Sequence, residues 1–424
     1  MLYSKNDPAA IAGQHPWYKD INKYQWSCLI AATLGWALDA FDNLLFTFTI
    51  PSLIKEWGIN TTLSGMVVSF TLIASAIGGV LFGYIADRIG RVKSLTISIL
   101  LFSIATGLCG LSQNIWQIMI ARTLVGLGLG GEWSAGVTMI SEAWPKEHRG
   151  KGVAIMQSGF AIGGMLASLV AGHIIFAYGW RALYFLGIIP ALLVFYVRKN
   201  VKEPEIWLNN RKNVVSEEKK SNPRESIFDK KVLWRTVLGS AFVSCLMLGN
   251  TPSIFLPTFL AMPYDKGGAG ASIVGSSLMI FPSYLGCFFG YLFFGILSDR
   301  VGRKKAFAIY LTAAALLAPG QIIAARHSIP LFLVVSPILG FFSSGCYAGL
   351  GPLLAELFPT RVRSTAVGFC YNFGRGTNAV SATIAGFFAA TYGLANTLMF
   401  AGVFFAISVF VSFLFKETAG MELE

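Results

Sequence analysis

The sequence predicts an all-α integral membrane protein with twelve transmembrane helices in two similar six-helix bundles. Three observations carry that reading. Of the 424 residues, 54% are hydrophobic and only 13% charged, with a mean hydropathy of +0.62, whereas soluble domains carry about 25% charged residues. Nearly charge-free stretches recur along the chain, and about 20 apolar residues suffice for a helix to cross a bilayer. A charged loop in the first half also returns in the second.

After a polar N-terminal segment, 1–25, the apolar segments of the first half fall near 26–50, 64–86, 94–112, 115–140, 152–178 and 181–199. Residues 1–25 include Lys5, Lys19 and Lys23 and lack the short apolar core of a cleavable leader, so the first span is the expected insertion signal. Residues 200–231 are rich in Lys, Glu and Asn and contain Pro204 and Pro223, the composition of a solvated linker. Six more segments follow near 232–260, 272–298, 305–325, 329–357, 364–391 and 394–415, and 416–424 is a polar tail. The predicted units are bundles at 26–199 and 232–415.

Charge placement sets the orientation. Among the 33 Lys and Arg, Lys55, Arg181, Lys266 and Arg326 lie in odd-numbered connections, and Arg122 and Arg375 lie inside spans. All the others fall on one side, which the positive-inside rule makes cytoplasmic, together with both termini and the linker. The expected location is the cell's inner (plasma) membrane. The net charge of +12 therefore reflects topology, and no nucleic-acid-binding motif accompanies it. The six cysteines all sit in apolar spans with no close pair and no His at ligand spacing, which supports neither a disulfide framework nor a metal site. No cofactor is implied.

The repeat is specific. Gly83-Tyr84-Ile85-Ala86-Asp87-Arg88-Ile89-Gly90-Arg91-Val92-Lys93 follows the second span, and Gly295-Ile296-Leu297-Ser298-Asp299-Arg300-Val301-Gly302-Arg303-Lys304-Lys305 follows the eighth, 212 positions later. Glu142-Ala143-Trp144-Pro145 with Arg149 likewise matches Glu356-Leu357-Phe358-Pro359 with Arg363, 214 positions later. Two independent matches at nearly one offset indicate duplicated halves.

The repeated Gly-x-x-x-Asp-Arg-x-Gly-Arg-x-Lys loop resembles the hallmark of the major facilitator superfamily, over the whole chain. Arg122-x-x-x-Gly126-x-Gly128-x-Gly130 is similar to its proton-coupled members. More narrowly, Pro16-Trp17-Tyr18, Asp39-Ala40-Phe41-Asp42, Gly131-Glu132-Trp133, Trp180-Arg181-Ala182-Leu183, Arg198-Lys199-Asn200 and Tyr371-Asn372-Phe373-Gly374 resemble the sialate:proton symporter family, which includes sialic-acid transporters and lactate or pyruvate permeases. Two departures concern the substrate: the two extra central spans of the sialic-acid members are absent, and span seven has Asn250-Thr251-Pro252-Ser253 in place of the permeases' polar motif.

The resemblance implies a gating latch at Asp87, Arg88, Arg91, Asp299, Arg300 and Arg303, at the cytoplasmic ends of spans two and eight. Topology alone needs only Lys and Arg there, which leaves the paired Asp and Gly unexplained. Ionised groups near the bilayer centre cost on the order of 3 kcal/mol or more, and so mark function. Asp39 and Asp42, spaced i, i+3 in span one, share a face. Glu132 and Arg122 lie in span four, about 15 Å apart along the helix. Close carboxylates in low dielectric resist ionising together, so Asp39, Asp42 and Glu132, with Arg122, are the proton-coupling candidates; the alternative is structural pairing with a buried Arg. The repeat partners of Glu132 and Arg122 are the neutral Cys346 and Ser336.

Span eleven places Tyr371, Asn372, Arg375 and Asn378 at helical spacing, and a guanidinium fork suits a carboxylate. These four and Asn250 are the substrate-binding candidates; otherwise Arg375 neutralises a buried carboxylate. Asn250 to Pro252 either open span seven to the substrate or merely kink it. The glycines at 126–131 and 159–164 lie inside apolar spans and read as helix-packing positions, not as phosphate loops.

The resulting expectation is a monomeric secondary active transporter in the lipid bilayer, working by alternating access, that moves a small organic anion with protons. The substrate would be a monocarboxylate such as lactate or a sugar acid such as sialate. Other aromatic or carboxylic acids, uncoupled facilitation and a non-transporting solute sensor are the alternatives. No nucleotide loop points to ATP, and no nucleophile–base or metal cluster points to an enzyme.

Overall fold

A computed structural model describes residues 17–145, 149–189, 191–192, 194, 197, 227–358 and 363–417. Among these residues every regular element is helical. The first half contains α1 (Lys23–Trp57), α2 (Thr61–Ile89), α3 (Arg91–Gly110), α4 (Ile115–Ala143), α5 (Arg149–Tyr178) and α6 (Trp180–Leu186). The second contains α7 (Lys230–Asn250), α8 (Phe281–Val301), α9 (Arg303–His327), α10 (Ile329–Gly345), α11 (Arg363–Tyr392) and α12 (Ala401–Leu414). Nine helical segments among the described residues are long and apolar enough to cross a membrane. The comparably long α4 and α11 carry Arg122, Glu132 and Arg375, the charges that lower their apolarity.

Local signals set the ends. Asn22, Asn60, Asn114 and Ser328 accept a backbone N–H in the first turns of α1, α2, α4 and α10, satisfying donors that a helix start leaves open. Gly90 and Gly302, the glycines of the repeated loop, take φ of 115° and 92° between α2 and α3 and between α8 and α9. Side-chain-bearing residues avoid that region, so the repeated glycine is a corner requirement in both halves. A second matched pair escapes a reading based on charge: Gly179 and Gly393, 214 positions apart and each after a Tyr, open α6 and the short helix before α12 at φ 80° and 87°.

The glycines of α4 are indeed packing positions. A Cβ on Gly126 or Gly130 would fall 2.1 or 1.9 Å from the carbonyl oxygens of Thr71 or Ser75 in α2. The second half repeats this between α8 and α10, where a Cβ on Gly286 or Gly290 would fall 1.9 or 2.2 Å from the Pro337 or Phe341 carbonyl oxygen. Close backbone approach of this kind supplies dispersion contact where lipid gives no hydrophobic drive.

The halves meet through α2 with α11 and α5 with α8. The Thr61 hydroxyl donates to the Gly386 carbonyl at 2.9 Å, and that of Ser69 donates to the Ala379 carbonyl. The Gly172 N–H donates to Ser277 Oγ at 3.1 Å. These contacts lie at the end of the bundle opposite the Gly90 and Gly302 corners. One apolar cluster accordingly runs from the first half into Phe255, Phe259, Ile280 and Leu394 of the second, while a separate cluster fills the second half toward the corners.

Candidate functional site

A cavity of about 370 Å³ lies between the halves, at the small end of the range for small-molecule sites. Its walls carry Trp36, Phe160, Tyr284, Tyr291, Tyr347 and Tyr371, and its charged lining residues are Asp39, Arg122 and Arg375.

The two α1 aspartates have different surroundings. Asp42, 0% exposed, pairs with Arg122 at 2.7 Å and also accepts the Thr106 hydroxyl. The Arg122 guanidinium also sits 5.9 Å from the Phe46 ring centre. This ion pair lies within the first bundle, joining α1, α3 and α4. Asp39 lines the cavity; its Oδ1 accepts from Asn43, and its Oδ2 is buried without a hydrogen-bond partner. A spacing of i, i+3 leaves the two carboxylates on neighbouring but distinct lines of the helix, and the face turned to α4 takes Asp42.

Glu132 is 2% exposed, and both of its carboxylate oxygens are buried without a hydrogen-bond partner. It fits because Gly35 leaves a gap on α1: a Cβ there would fall 2.0 Å from Glu132 Oε1. Gly35 is one turn before Asp39, and the two carboxyl groups lie within electrostatic reach of each other. The sequence reading missed Gly35, although a glycine one turn from a buried carboxylate is a visible signal for space.

Across the cavity, Arg375 on α11 sits 5.7 Å from the centre of the Tyr371 ring and within electrostatic reach of Asp39. Its guanidinium makes no hydrogen bond or ion pair among the described residues. Asn378 lines the cavity and accepts the Thr251 hydroxyl; Asn250 lines it too, donating to the Leu246 carbonyl at 3.2 Å and Tyr347 Oη at 3.3 Å. Asn372 instead lies against α2, with its Oδ1 3.7 Å from where a Gly79 Cβ would stand. Past Asn250 the chain changes to a 3-10 turn over Thr251–Phe255 and then a short helix over Leu256–Ala261, so span seven is interrupted beside the cavity.

Of the predicted latch, the side chains of Asp87, Arg88, Arg91 and Asp299 lie outside the described residues. Arg300 is exposed. Arg303 donates to Ser298 Oγ at 2.6 Å and pairs with Glu356 at 3.3 Å, and its backbone N–H donates to Glu417 at 2.8 Å. All of these partners belong to its own half. The two motifs repeated in the sequence thus meet in space, with Arg303 of the first pairing with Glu356 of the second.

The Major Facilitator Superfamily model matches residues 28–283 and 259–423. The chain belongs to the Major Facilitator Superfamily. It is 36% identical to a "probable 4-methylmuconolactone transporter" of Cupriavidus pinatubonensis, over 96% of this chain and 94% of that protein. It is 31% identical to the sialic acid transporter NanX of Escherichia coli, over 92% and 94%. Among solved structures, the D-xylose–proton symporter superposes with a TM-score of 0.74 at 21% identity, covering 94% of this chain and 100% of that one, a likeness of fold. The chain is therefore a multi-pass membrane transporter of small molecules, not an enzyme.

Proposed function

We propose that this transporter is a proton-coupled symporter for a small aromatic or otherwise unsaturated carboxylic acid, working as a monomer in the cell's inner membrane with both termini cytoplasmic. The observation that carries the reading is Arg375, a guanidinium at the central cavity with no anion bonded to it among the described residues. Arginine stays charged at any cellular pH and its fork matches a carboxylate. Beside it stand aromatic faces, with Tyr371 and Tyr347 on the same half, which suit a flat unsaturated body better than a polyhydroxylated one. The 4-methylmuconolactone relative supports a compact unsaturated substrate; NanX keeps a sugar acid as the comparison to beat.

The proton carriers of this reading lie in the first half, Asp39 on the cavity wall and Glu132 buried against Gly35. An ionised Glu132 without a bonding partner costs several kcal/mol, and a proton removes that cost. Glu132 and Asp39 lie within electrostatic reach of each other, and Asp39 within reach of Arg375, so loading of the acid on Arg375 and of the proton on the carboxylates can communicate through charge. Asp42 and Arg122 neutralise each other and hold α1 against α4. With the termini inside, the seam between α2 and α11 closes the outer face, so the cavity faces inward in this state. The repeated loops then act as the latch of the opposite state, which fits Arg303 being engaged within its own half here.

Uptake into proteoliposomes, with and without an inward proton gradient, tests the reading with benzoate, nicotinate, muconate, lactate and sialate. Gradient-driven accumulation of one of the first three is expected. Accumulation of lactate or sialate alone overturns the substrate class, and accumulation unaffected by the gradient overturns coupling. Arg375→Lys should weaken acid binding about tenfold to a hundredfold, the worth of a charge-assisted contact, while leaving the methyl ester's binding unchanged. Equal losses for acid and ester would make Arg375 a structural cation.

A further inference from the structure

The wall of the cavity formed by the second half carries a neutral polar cluster that the proposed proton and carboxylate sites do not use. Gln321 on α9 is 6% exposed and lines the cavity. Its Nε2 donates to Ser336 Oγ on α10 at 2.9 Å, and the Ser336 hydroxyl in turn shares a hydrogen bond with that of Ser283 on α8. A glutamine side chain offers two N–H hydrogens and a two-lone-pair oxygen. Gln321 uses one hydrogen and makes no other hydrogen bond among the described residues. Its remaining polar atoms are therefore open to the cavity that it lines, and α9 could close the same space with an apolar residue, as it does at the buried neighbours Ala318 and Ile322.

The repeat makes the location informative. Ser336 is the counterpart of Arg122. In the first half that position holds a salt bridge, whose charges are satisfied by each other; in the second half it holds a hydroxyl oriented by an amide. Asn250 and Ser253 of the interrupted span seven, together with Ser343, border both the cavity and a water-sized recess beside Gln321. These groups can donate to or accept from an uncharged oxygen, and none of them supplies a charge.

We infer that the Gln321–Ser336–Ser283 cluster is a second recognition subsite, which binds an uncharged oxygen of the substrate, a hydroxyl or a carbonyl, while the substrate's carboxylate is held by Arg375. The inference rests on the proposed assignment of the cavity to a carboxylic acid, and within that class it gives members with a hydroxyl or carbonyl oxygen the higher affinity. A site built to hydrogen-bond an oxygen rejects the analogue lacking it, because its own buried groups are then left unpaired.

Binding to the purified full-length protein is measured for two matched pairs, benzoate with 4-hydroxybenzoate and cyclohexanecarboxylate with 4-oxocyclohexanecarboxylate. The protein should bind at least one oxygenated member about tenfold or more tighter than its partner. Gln321→Leu should erase that preference by weakening only the oxygenated acid, and Ser336→Ala, which removes less volume from the helix interface, should reduce it in the same direction. Absence of a preference in the parent for either pair, or equal weakening of both members by the variants, overturns the subsite. Arg375→Gln separates the two assignments. It should weaken both members of a pair alike, and undiminished binding of both in that variant refutes the carboxylate site whatever the Gln321 variants show.

Discussion

The interiors of the two halves are built on one plan and filled with opposite chemistry. In the first, the interior between α1, α3 and α4 holds Asp42, Arg122 and the Thr106 hydroxyl, with Glu132 one gap away. In the second, the interior between α8, α9 and α10 holds Ser283, Gln321 and Ser336. All but the half-buried Ser283 are buried, and the first set reaches the cavity through Arg122 whereas all three members of the second line it; the backbones of both halves pack through glycine–carbonyl contacts of the same kind. Duplication therefore supplied the frame, and divergence at a few interior positions separates groups able to carry a proton from groups able to recognise a neutral oxygen. Among the described residues, the cation that the second half brings to the cavity is Arg375, which lies on α11, outside the duplicated polar position.

The largest difference between the halves should appear on breaking these interiors. Asp42→Asn or Arg122→Ala leaves a buried charge without its partner, which costs about 3–5 kcal/mol, whereas Ser336→Ala removes one neutral hydrogen bond at about 1 kcal/mol. Thermal unfolding in detergent should show a large fall in midpoint for the first two and a small one for the third. The double variant Asp42→Leu with Arg122→Met should recover much of the loss, because a buried pair replaced by packed apolar groups is often neutral. Comparable falls for all three single variants would mean that the charged interior is no more a structural keystone than the neutral one.

A smaller effect on stability, with a specific effect on transport, is expected around Glu132. Gly35→Ala places a methyl 2.0 Å from the present position of Glu132 Oε1, and the carboxyl group must move. Glu132→Gln keeps the shape and removes the exchangeable proton. Both should abolish accumulation driven by a pH gradient while substrate exchange across the membrane continues, since exchange needs no net proton movement. If Glu132→Gln still concentrates substrate, the proton travels on Asp39 alone.

Much of this arrangement is legible in the chain. The apolar segments and the duplicated loop give the helix count and the two halves, because bilayer thickness and charge placement act on long stretches of sequence. The glycines at 126–131 declare close packing because they interrupt nothing else. Asp39 and Asp42 are conspicuous as buried acids, but which of them meets Arg122 depends on the rotation of α1 by a fraction of a turn, and tertiary packing decides that. Asn372 shares a helical register with Arg375 but sits at the seam with α2, for the same reason. Gln321 gave no signal of charge or repeat, and only the fold brings α9 to the cavity; a lone amide two residues after Pro319 in an apolar span was the available hint.

The smallest predicted effect asks whether the difference between the halves stops at their interiors. Arg303 and Glu356 are about 15% and 13% exposed and 3.3 Å apart, a partly solvated pair whose loss should cost on the order of 1 kcal/mol or less. Arg303 would keep its bond to Ser298, so Glu356→Gln should lower the unfolding midpoint only slightly and leave acid binding unchanged. Transport is where a latch would show, as a change in turnover rate without a change in affinity, because the pair lies at a corner away from the cavity. Glu142 occupies the repeated position in the first half, and Glu142→Gln should give a turnover effect of the same size and direction. Equal effects would mean that the duplicated corners still do one job while the interiors have diverged. An effect confined to one half, or a loss of binding equal to the loss of transport, would show that the corners have specialised as well, and the paired Asp-Arg-Gly-Arg loops would then no longer be a symmetric gate.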